Sequence, residues 1–233
     1  MSEEKIEITS CDITDKGKSC CSSQKTVKNI DIKSHWDQAY STSPEDQLGW
    51  YETDLSPTLK LIQKTHLEKT SIIFNAGAGS TTLIDELLNE GYSNLIASDI
   101  SEVALLKLDE RVGTDRLQLI QDDLTNPVAL LSMEPVDLWI DRAVLHFFME
   151  EEAQNNYFKL IQDKVKNKGF VILAEFNLEG ATKCSGLDVF RYSAEMLGKK
   201  LGDQFSLIDA FNYTYIMPSG GERPYVYTLF QKH

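Results

Sequence analysis

Two glycines and a distant aspartate form the pattern with the clearest chemistry in this chain. Gly77 and Gly79 follow the apolar run 72–74 within five residues. Neither glycine has a Cβ atom, so the backbone there can approach a ligand closely. Asp99 follows Gly79 by twenty residues and ends a second apolar run. This spacing suits a carboxylate that accepts hydrogen bonds from a ribose diol, and it predicts half of a nucleotide-binding βαβ unit.

Charged side chains follow the fourth and fifth predicted strands, where open α/β sheets place their ligands. Asp141 and Arg142 end the segment DLWIDR, and His146 follows in AVLHFF. Asp141 is predicted to orient or deprotonate the substrate group that reacts, and His146 is predicted to act as a base near neutral pH. The alternatives are a local Asp141–Arg142 ion pair and a histidine that belongs to the core. Arg191 would bind a carboxylate through two hydrogen bonds or form a surface salt bridge.

Aromatic side chains cluster before the first predicted strand. Trp36 and Tyr40 stand four residues apart on one face of a predicted helix, and Trp50 and Tyr51 follow a loop that contains Pro and Asp. Aromatic faces attract sulfonium and ammonium cations, so these side chains are predicted to form a lid over a cationic ligand. The alternative, above all for Trp36, is simple packing of this helix on the sheet.

Apolar runs and amphipathic stretches alternate from residue 71 onward. Strands are predicted at 71–75, 94–99, 117–121, 136–141 and 169–175. Helices are predicted at 81–90, 101–112 and 150–166, with a short one near 127–132. This alternation predicts an α/β fold with a mostly parallel sheet and helices on both faces. Residues 205–217 and 225–231 flank the turn PSGGERP, so an antiparallel hairpin is expected to close the sheet.

Composition and charge narrow the classes of function. The 233 residues carry a formal charge of −13, which argues against a long basic surface for nucleic acid. No apolar run approaches the length that spans a membrane, and the N-terminal residues have no hydrophobic signal region, so we expect a cytoplasmic protein. Residues 1–33 are polar without apolar periodicity. They predict a flexible tail before a single domain at 34–233.

Four cysteines are present, and their spacing is not typical of a disulfide framework. They are Cys11, Cys20, Cys21 and Cys184. Reduced thiols in a cytosolic protein are the plain interpretation. Binding of a soft element by Cys20, Cys21 and Cys184 is the alternative. No ligand spacing of a zinc site is present, and no metal is predicted.

Three motifs follow one another along the chain: HWDQAY…GWY, NAGAGSTTL and DLWIDRAVLHFF. Together they resemble the class I S-adenosylmethionine-dependent methyltransferases, especially small single-domain bacterial enzymes, and the later segment KCSGLDVFRYSAEML is similar to that group as well. The motif order, from Trp36 to Gln231, covers about 85% of the chain. The resemblance implies a Rossmann-like seven-stranded sheet. It also implies S-adenosyl-L-methionine as cofactor and S-adenosyl-L-homocysteine as product.

The resemblance further implies roles for individual residues. Those expected to contact the cofactor are Asn75, Gly77, Gly79, Ser80, Asp99, Ile100, Asp123, Leu124, Tyr40 and Trp50. Those expected to face the substrate are Trp36, Tyr51, Arg142 and Arg191. Asp141 and His146 are the expected catalytic residues. Asp122 competes with Asp123 for the adenine-contacting position, and the sequence does not separate the two.

The acceptor implied by the resemblance is a small molecule or a protein lysine, with a slight preference for the small molecule. Methylation of arsenite, another soft element or a thiol is a narrower variant. Asn75 stands where the family usually has an acid, and this keeps a noncatalytic cofactor-binding module as an alternative. An NAD-dependent enzyme is disfavoured, because the third fingerprint glycine and the Tyr-x-x-x-Lys pair are missing.

Overall fold

The chain is built around one seven-stranded sheet, seen in a computed structural model that describes residues 31–79 and 81–233. The strands are β1 (Ile72–Ala76), β2 (Asn94–Asp99), β3 (Leu117–Gln121), β4 (Val136–Arg142), β5 (Val165–Phe176), β6 (Lys183–Cys184), β7 (Leu187–Asp188), β8 (Phe205–Ile216) and β9 (Glu222–Lys232). The sheet order is β3-β2-β1-β4-β5-β9-β8, and β6 pairs with β7 separately. The first five strands are parallel, while β9 runs antiparallel to both β5 and β8. The predicted fold class and closing hairpin are confirmed.

Helices cover both faces of the sheet, as the alternating pattern predicts. They are α1 (Ile32–Thr42), α2 (Ser56–Thr65), α3 (Leu83–Asn89), α4 (Glu102–Val112), α5 (Glu151–Lys164) and α6 (Ala194–Leu201). The apolar sides of α2 and α3 belong to the core on one face, and those of α5 and α6 to the core on the other. None of the helices in the described part of the chain is long and apolar enough to cross a membrane.

The central strands have apolar sequences because both of their faces are covered. Ile73 and Phe74 of β1 are buried on opposite faces, and four residues of β1 pair with both β2 and β4. The chain leaves β1 toward β2 on one side, and β4 adds on the other side. The carboxyl ends of β1, β2 and β4 therefore meet at the point where strand order reverses, which is where such sheets bind ligands.

Several element boundaries differ from the prediction. The long helix ends at Lys164, and β5 begins at Val165 rather than at 169, because Val165 pairs with Val136 across a register shift in β4. The predicted helix near 127–132 is a 3₁₀ turn at Leu130–Ser132. The first helix begins at Ile32, before the predicted domain start at 34, because the carboxylate of Asp31 caps it by accepting from the Ser34 amide.

Candidate active site

A cavity of about 440 Å³ opens at the carboxyl ends of β1, β2 and β4, and we call it the main cavity. Its lining includes Gly77 after β1, Asp99 at the end of β2, and Arg142 at the end of β4. Small-molecule sites in proteins have volumes of this order. The three strands therefore bring the predicted glycine turn, the acid and a basic side chain to one enclosed place.

The turn after β1 needs both of its glycines. Gly77 and Gly79 have φ angles of +54° and +53°, in the left-handed region that side chains with a Cβ rarely adopt. A Cβ atom on Gly77 would overlap the Val144 side chain, and one on Gly79 would overlap the Tyr40 hydroxyl. The turn is closed by a hydrogen bond from the Ala78 amide to the Ser98 carbonyl. Neighbouring side chains thus pack directly on backbone at this point.

Asp99 is fixed by two backbone amides. Its Oδ2 accepts from the Gly79 amide at 2.8 Å, and its Oδ1 accepts from the Ser101 amide at 2.8 Å. Burial raises the pKa of this carboxyl to about 6, and the two amide hydrogen bonds act in the opposite direction. Asp99 and the following Ile100 both line the main cavity. A carboxylate held in this way presents fixed lone pairs to a hydroxyl donor.

The acids after β3 have different hydrogen-bonding roles, although both line the main cavity. Asp122 accepts with both carboxylate oxygens from backbone amides, including those of Val128 and Leu130, and so shapes its own loop. Asp123 Oδ1 accepts from the amide and the hydroxyl of Thr125. The two acids therefore differ in how far their carboxylates are engaged by their own loop. Leu124 is buried beside it in the cavity wall.

Aromatic rings line one side of the main cavity. The ring centroids of Trp36 lie 5.3 Å from Trp50 and 4.9 Å from Phe147, each pair edge to face. Trp50 Nε1 donates to the Tyr40 hydroxyl at 3.0 Å. Tyr51, in contrast, lines only a smaller cavity behind Gly77. Three of the four predicted lid residues therefore share the main cavity, together with Phe147.

Arg142 forms a buried ion pair with Glu52 rather than with Asp141. Its Nε lies 2.7 Å from Glu52 Oε1, and its Nη1 donates to the Trp50 carbonyl at 3.0 Å. Burial raises the pKa of Glu52, and the Arg142 guanidinium acts against this. The local Asp141–Arg142 ion pair weighed from the sequence is wrong, because Glu52 reaches the guanidinium from a loop ninety residues earlier.

Asp141 and His146, the predicted catalytic residues, are completely buried and do not belong to the cavity lining. Asp141 accepts from the Tyr157 hydroxyl at 2.5 Å and from the Val144 and Leu145 amides. His146 Nδ1 lies 2.8 Å from Glu175 Oε2. Burial lowers the pKa of His146 to about 3, so this is a contact of a neutral imidazole and not an ion pair.

The buried carboxyl groups of Asp141 and Glu175 fix the backbone of the loop after β4. Glu175 accepts from the His146 amide at 3.1 Å, and Asp141 accepts from the two preceding amides. Ala143 has a φ of +68°, an unusual conformation for a residue with a side chain. Ala143, Val144 and Phe147 all line the main cavity. The buried carboxyl groups therefore determine where this wall of the cavity lies.

Replacing Glu175 with glutamine is expected to flatten the pH dependence of stability. Burial raises the pKa of Glu175 from 4.5 to about 8. The folded protein thus retains a proton that the unfolded chain releases, and the free energy of unfolding falls as the pH rises from about 4.5 to 8. Glutamine mimics the protonated acid, so the variant should lose no more than about 1 kcal/mol at pH 7.

Urea unfolding at several pH values measures this effect. Glu179→Gln is the matched control, because Glu179 lies on the surface near the same strand end. The control should keep the wild-type pH profile. A Glu175→Gln protein with an unchanged profile would show that this carboxyl does not hold the proton.

The small hairpin of β6 and β7 contributes a wall that the sequence did not assign. Cys184, Leu187 and Asp188 line the main cavity, and Ser185 Oγ lies 3.3 Å from His35 Nε2 of α1. Arg191, predicted to face the substrate, donates instead to the Leu178 carbonyl at 2.8 Å and does not line the cavity. The segment KCSGLDVFRYSAEML, which resembles the methyltransferase group, was the signal that could have found this wall, but it carried no site assignment for these residues.

Several predicted features lie outside the described residues. They are Ser80, Cys20, Cys21 and residues 1–30 of the predicted flexible tail. Among residues 31–79 and 81–233, no group of three or more His, Cys, Asp or Glu side chains is arranged to hold a metal ion.

The fold is that of the S-adenosylmethionine-dependent methyltransferases. A crystal structure of such an enzyme from Anabaena variabilis superimposes with a TM-score of 0.71, at 12% identity over 87% of this chain and 93% of that one. The N-methyltransferase NodS from Bradyrhizobium japonicum, in complex with S-adenosyl-L-homocysteine, gives a TM-score of 0.64 at 11% identity, over 85% and 98% of the two chains. The predicted resemblance is confirmed at the level of the fold.

Weak sequence relatives are methyltransferases as well. EEF1A lysine methyltransferase 2 of Danio rerio is 23% identical over 186 residues, 72% of this chain and 77% of the relative. The mouse protein of the same name is 22% identical over 198 residues, 76% of this chain and 77% of its own length. No protein-family model matches the chain.

Proposed function

We propose that this chain transfers a methyl group from S-adenosyl-L-methionine to the side-chain nitrogen of a protein lysine. The observation that carries the first part is the contact of the Gly79 amide with Asp99 at the wall of the main cavity. The same strand ends hold Gly77, Ile100, Asp123 and Leu124, which the family resemblance assigns to the cofactor.

The residues present fit an adenosyl group by their own chemistry. Asp99 is a buried carboxylate that can accept from two hydroxyls of a ribose, and Gly77, which has no Cβ, lines the same cavity. Ile100 and Leu124 add apolar surface near Asp123, which suits a purine ring with a polar edge. When bound, the cofactor supplies a methyl group already activated by a sulfonium sulfur.

The side of the main cavity that is lined by aromatic rings favours an amine as the methyl acceptor. Trp36, Trp50 and Phe147 present aromatic surface, and this kind of surface attracts ammonium groups. Glu150 and Asp188 add exposed carboxylates at the lining, in a chain with a net charge of −13. The relatives that are lysine methyltransferases, and the N-methyltransferase among the similar structures, support a nitrogen acceptor.

The contribution of the protein to the transfer is mainly positioning. The lysine side chain binds beside the aromatic wall as an ammonium and must release its proton to solvent before the transfer, because only the neutral amine has a lone pair that can attack the methyl carbon. Asp141 and His146 act from behind the wall: Asp141 fixes the Val144 and Leu145 amides, and His146 packs against Phe147 with ring centroids 4.5 Å apart. We assign both residues to positioning.

A labelling experiment with blocked lysines tests the acceptor. The protein is incubated with methyl-labelled S-adenosyl-L-methionine and either soluble cell proteins or the same proteins after exhaustive reductive dimethylation of lysine. The proposal predicts label in the untreated macromolecules and little in the blocked ones. Equal labelling of both samples would contradict a lysine acceptor, and labelling only of a low-molecular-weight filtrate would establish a small-molecule acceptor instead.

A noncatalytic cofactor-binding module remains the second candidate because of Asn75. This residue is buried at the end of β1 and replaces the usual acid of the family. We expect Asn75→Asp to keep the affinity for S-adenosyl-L-homocysteine within about tenfold. The two side chains have the same shape, and the new carboxylate would attract the cofactor's ammonium group while competing with its carboxylate for Arg142, which lines the same small cavity. Calorimetry checks this. A loss of more than tenfold would contradict the placement of Asn75 beside the cofactor.

The wild type and the Asn75→Asp variant also distinguish an enzyme from a noncatalytic cofactor-binding module. An enzyme forms S-adenosyl-L-homocysteine in the presence of the acceptor proteins, whereas a module forms none in either the wild type or the Asn75→Asp variant.

A further inference from the structure

A second cavity of about 50 Å³ lies next to the main cavity, and we call it the side pocket. Gly77, Trp50 and Arg142 line both spaces, so the two are neighbours across the glycine turn. The remaining lining includes Asn75 and Glu52. A space of this size accommodates a few water-sized groups. It is too small for a second ring or a pyrophosphate, but it suits the end of a chain-like ligand.

The guanidinium of Arg142 is held rigidly at the side pocket. Glu52 lies 2.7 Å from Nε, the Trp50 carbonyl accepts from Nη1, and the Tyr227 hydroxyl lies 3.3 Å from Nε. The rings of Tyr215 and Tyr225 lie 4.7 Å and 5.2 Å from its central carbon. These contacts fix the plane of the group, and they use only two of its three nitrogens.

The third nitrogen, Nη2, is buried and has no hydrogen-bond partner among the described residues. A buried cationic N–H group without an acceptor is costly, and native proteins rarely leave one unpaired. Asn75, which also lines the side pocket, is neutral, and Glu52, the carboxylate among the described lining residues, is bound to Nε. An anionic ligand group is therefore the partner that this nitrogen lacks.

The strand register gives the distance between Arg142 and Asp99. Ala76 of β1 pairs with Ser98 on one side and with Asp141 on the other. Asp99 and Arg142 are each the next residue, on the two strands that flank β1. Neighbouring strands lie about 4.8 Å apart, so the two backbones are separated by roughly 10 Å. A ligand that reaches both side chains therefore carries a diol and an anion at separate ends, on the order of 10 Å apart.

We propose that Arg142 Nη2 binds the α-carboxylate of the cofactor's amino-acid end, and that Glu52 is the positioning residue that aims it. This inference rests on the proposed function, since it places the amino-acid end of S-adenosyl-L-methionine in the side pocket while the adenosine lies against Asp99. It reassigns Arg142 from the substrate to the cofactor. It also gives Glu52, unassigned by the sequence, a defined task.

Three ligands that differ only at this end test the assignment by calorimetry. S-adenosyl-L-homocysteine has the whole amino-acid end, 5′-(3-aminopropylthio)-5′-deoxyadenosine lacks only the carboxylate, and 5′-methylthioadenosine lacks the entire end. The wild type is expected to bind the first about 10- to 100-fold more tightly than the second, the range for one charge-assisted hydrogen bond. In Arg142→Gln this preference should fall to about threefold or less, while methylthioadenosine binds as before.

Two outcomes overturn the assignment. One is an Arg142→Gln protein that keeps the full preference for the carboxylate. The other is an equal loss of affinity for all three ligands, which indicates a structural role. If the wild type binds none of the three, the proposed function itself fails; if it binds methylthioadenosine without preferring the carboxylate, only the present assignment fails.

A second variant guards against misfolding, because Arg142→Gln leaves Glu52 buried without its cation. The double variant Glu52→Gln/Arg142→Gln removes both charges and keeps two amides of similar shape. It should bind methylthioadenosine like the wild type and show the same lost preference. Binding of methylthioadenosine is thus the fold control in every arm. A double variant that regains the preference for the carboxylate would overturn the role of Arg142.

Discussion

Replacing Asp99 with asparagine is expected to weaken the binding of S-adenosyl-L-homocysteine about 100-fold. Asparagine has nearly the same shape, but it has no charge and only one acceptor oxygen. Asp99 already uses Oδ1 and Oδ2 for the Ser101 and Gly79 amides. Because asparagine has no charge and one acceptor oxygen fewer, the variant loses the charge-assisted bonds to a ribose diol, each worth about 1.5–3 kcal/mol. Calorimetric titration measures the change.

Asp137→Asn is the matched control for Asp99→Asn. Asp137 also accepts from a strand amide, that of Ile72 at 2.8 Å, but it lies at the opposite end of the sheet and does not line the main cavity. This control should leave the affinity within about threefold. An Asp99→Asn protein that is folded and still binds like the wild type would remove Asp99 from the cofactor site.

The second large effect is expected for Gly77→Ala. The new Cβ would overlap Val144 in the wall of the main cavity, and the φ of +54° is unfavourable for alanine. Overpacking of this kind costs about 1–3 kcal/mol, and the left-handed conformation about 1–2 kcal/mol more. We expect the variant to unfold at lower denaturant concentration and to bind S-adenosyl-L-homocysteine at least 100-fold more weakly, since the turn and Val144 cannot both stay in place.

Gly91→Ala separates the clash from the backbone strain. Gly91 follows α3 with a φ of +93°, yet a Cβ there would meet no atom within 4 Å. This control should lose only about 1–2 kcal/mol of stability and keep its affinity. If Gly77→Ala behaved like Gly91→Ala in both assays, the close packing at the glycine turn would be irrelevant to binding.

Local patterns predicted the fold because the sheet is assembled from short repeating units. The apolar runs of β1 and β2 and the amphipathic face of α3 are visible in contiguous sequence, and the order of such units implies the parallel sheet. The predicted strand and helix boundaries were wrong where pairing between strands determines them. The strand β5 begins at Val165 through its partner Val136, a contact that no window of the sequence contains.

The residues of the candidate site also fall into two groups: some lie close together in the sequence, and others meet only through contacts between distant segments. Gly77, Gly79 and Asp99 lie within one βαβ unit, so their spacing brought them together in the prediction. Glu52 lay outside it, because the chain leaves ninety residues between this acid and Arg142.

Burial decided the remaining differences at the site. His146 and Asp141 have the residue types of catalysts, but the residues around them bury both completely. The hydrophobic periodicity of a sequence does not show how far a side chain is buried beneath the wall of a cavity. The exposure of a charged residue at a strand end therefore had to come from the structure.

The central claim is that the main cavity is a site for S-adenosyl-L-methionine. Calorimetric titration of the purified full chain with S-adenosyl-L-methionine, S-adenosyl-L-homocysteine and NAD tests it most directly. We predict micromolar binding of the first two ligands, with one site per chain, and no measurable binding of NAD. A folded protein that binds neither adenosyl ligand, or that binds NAD more tightly, would contradict the account.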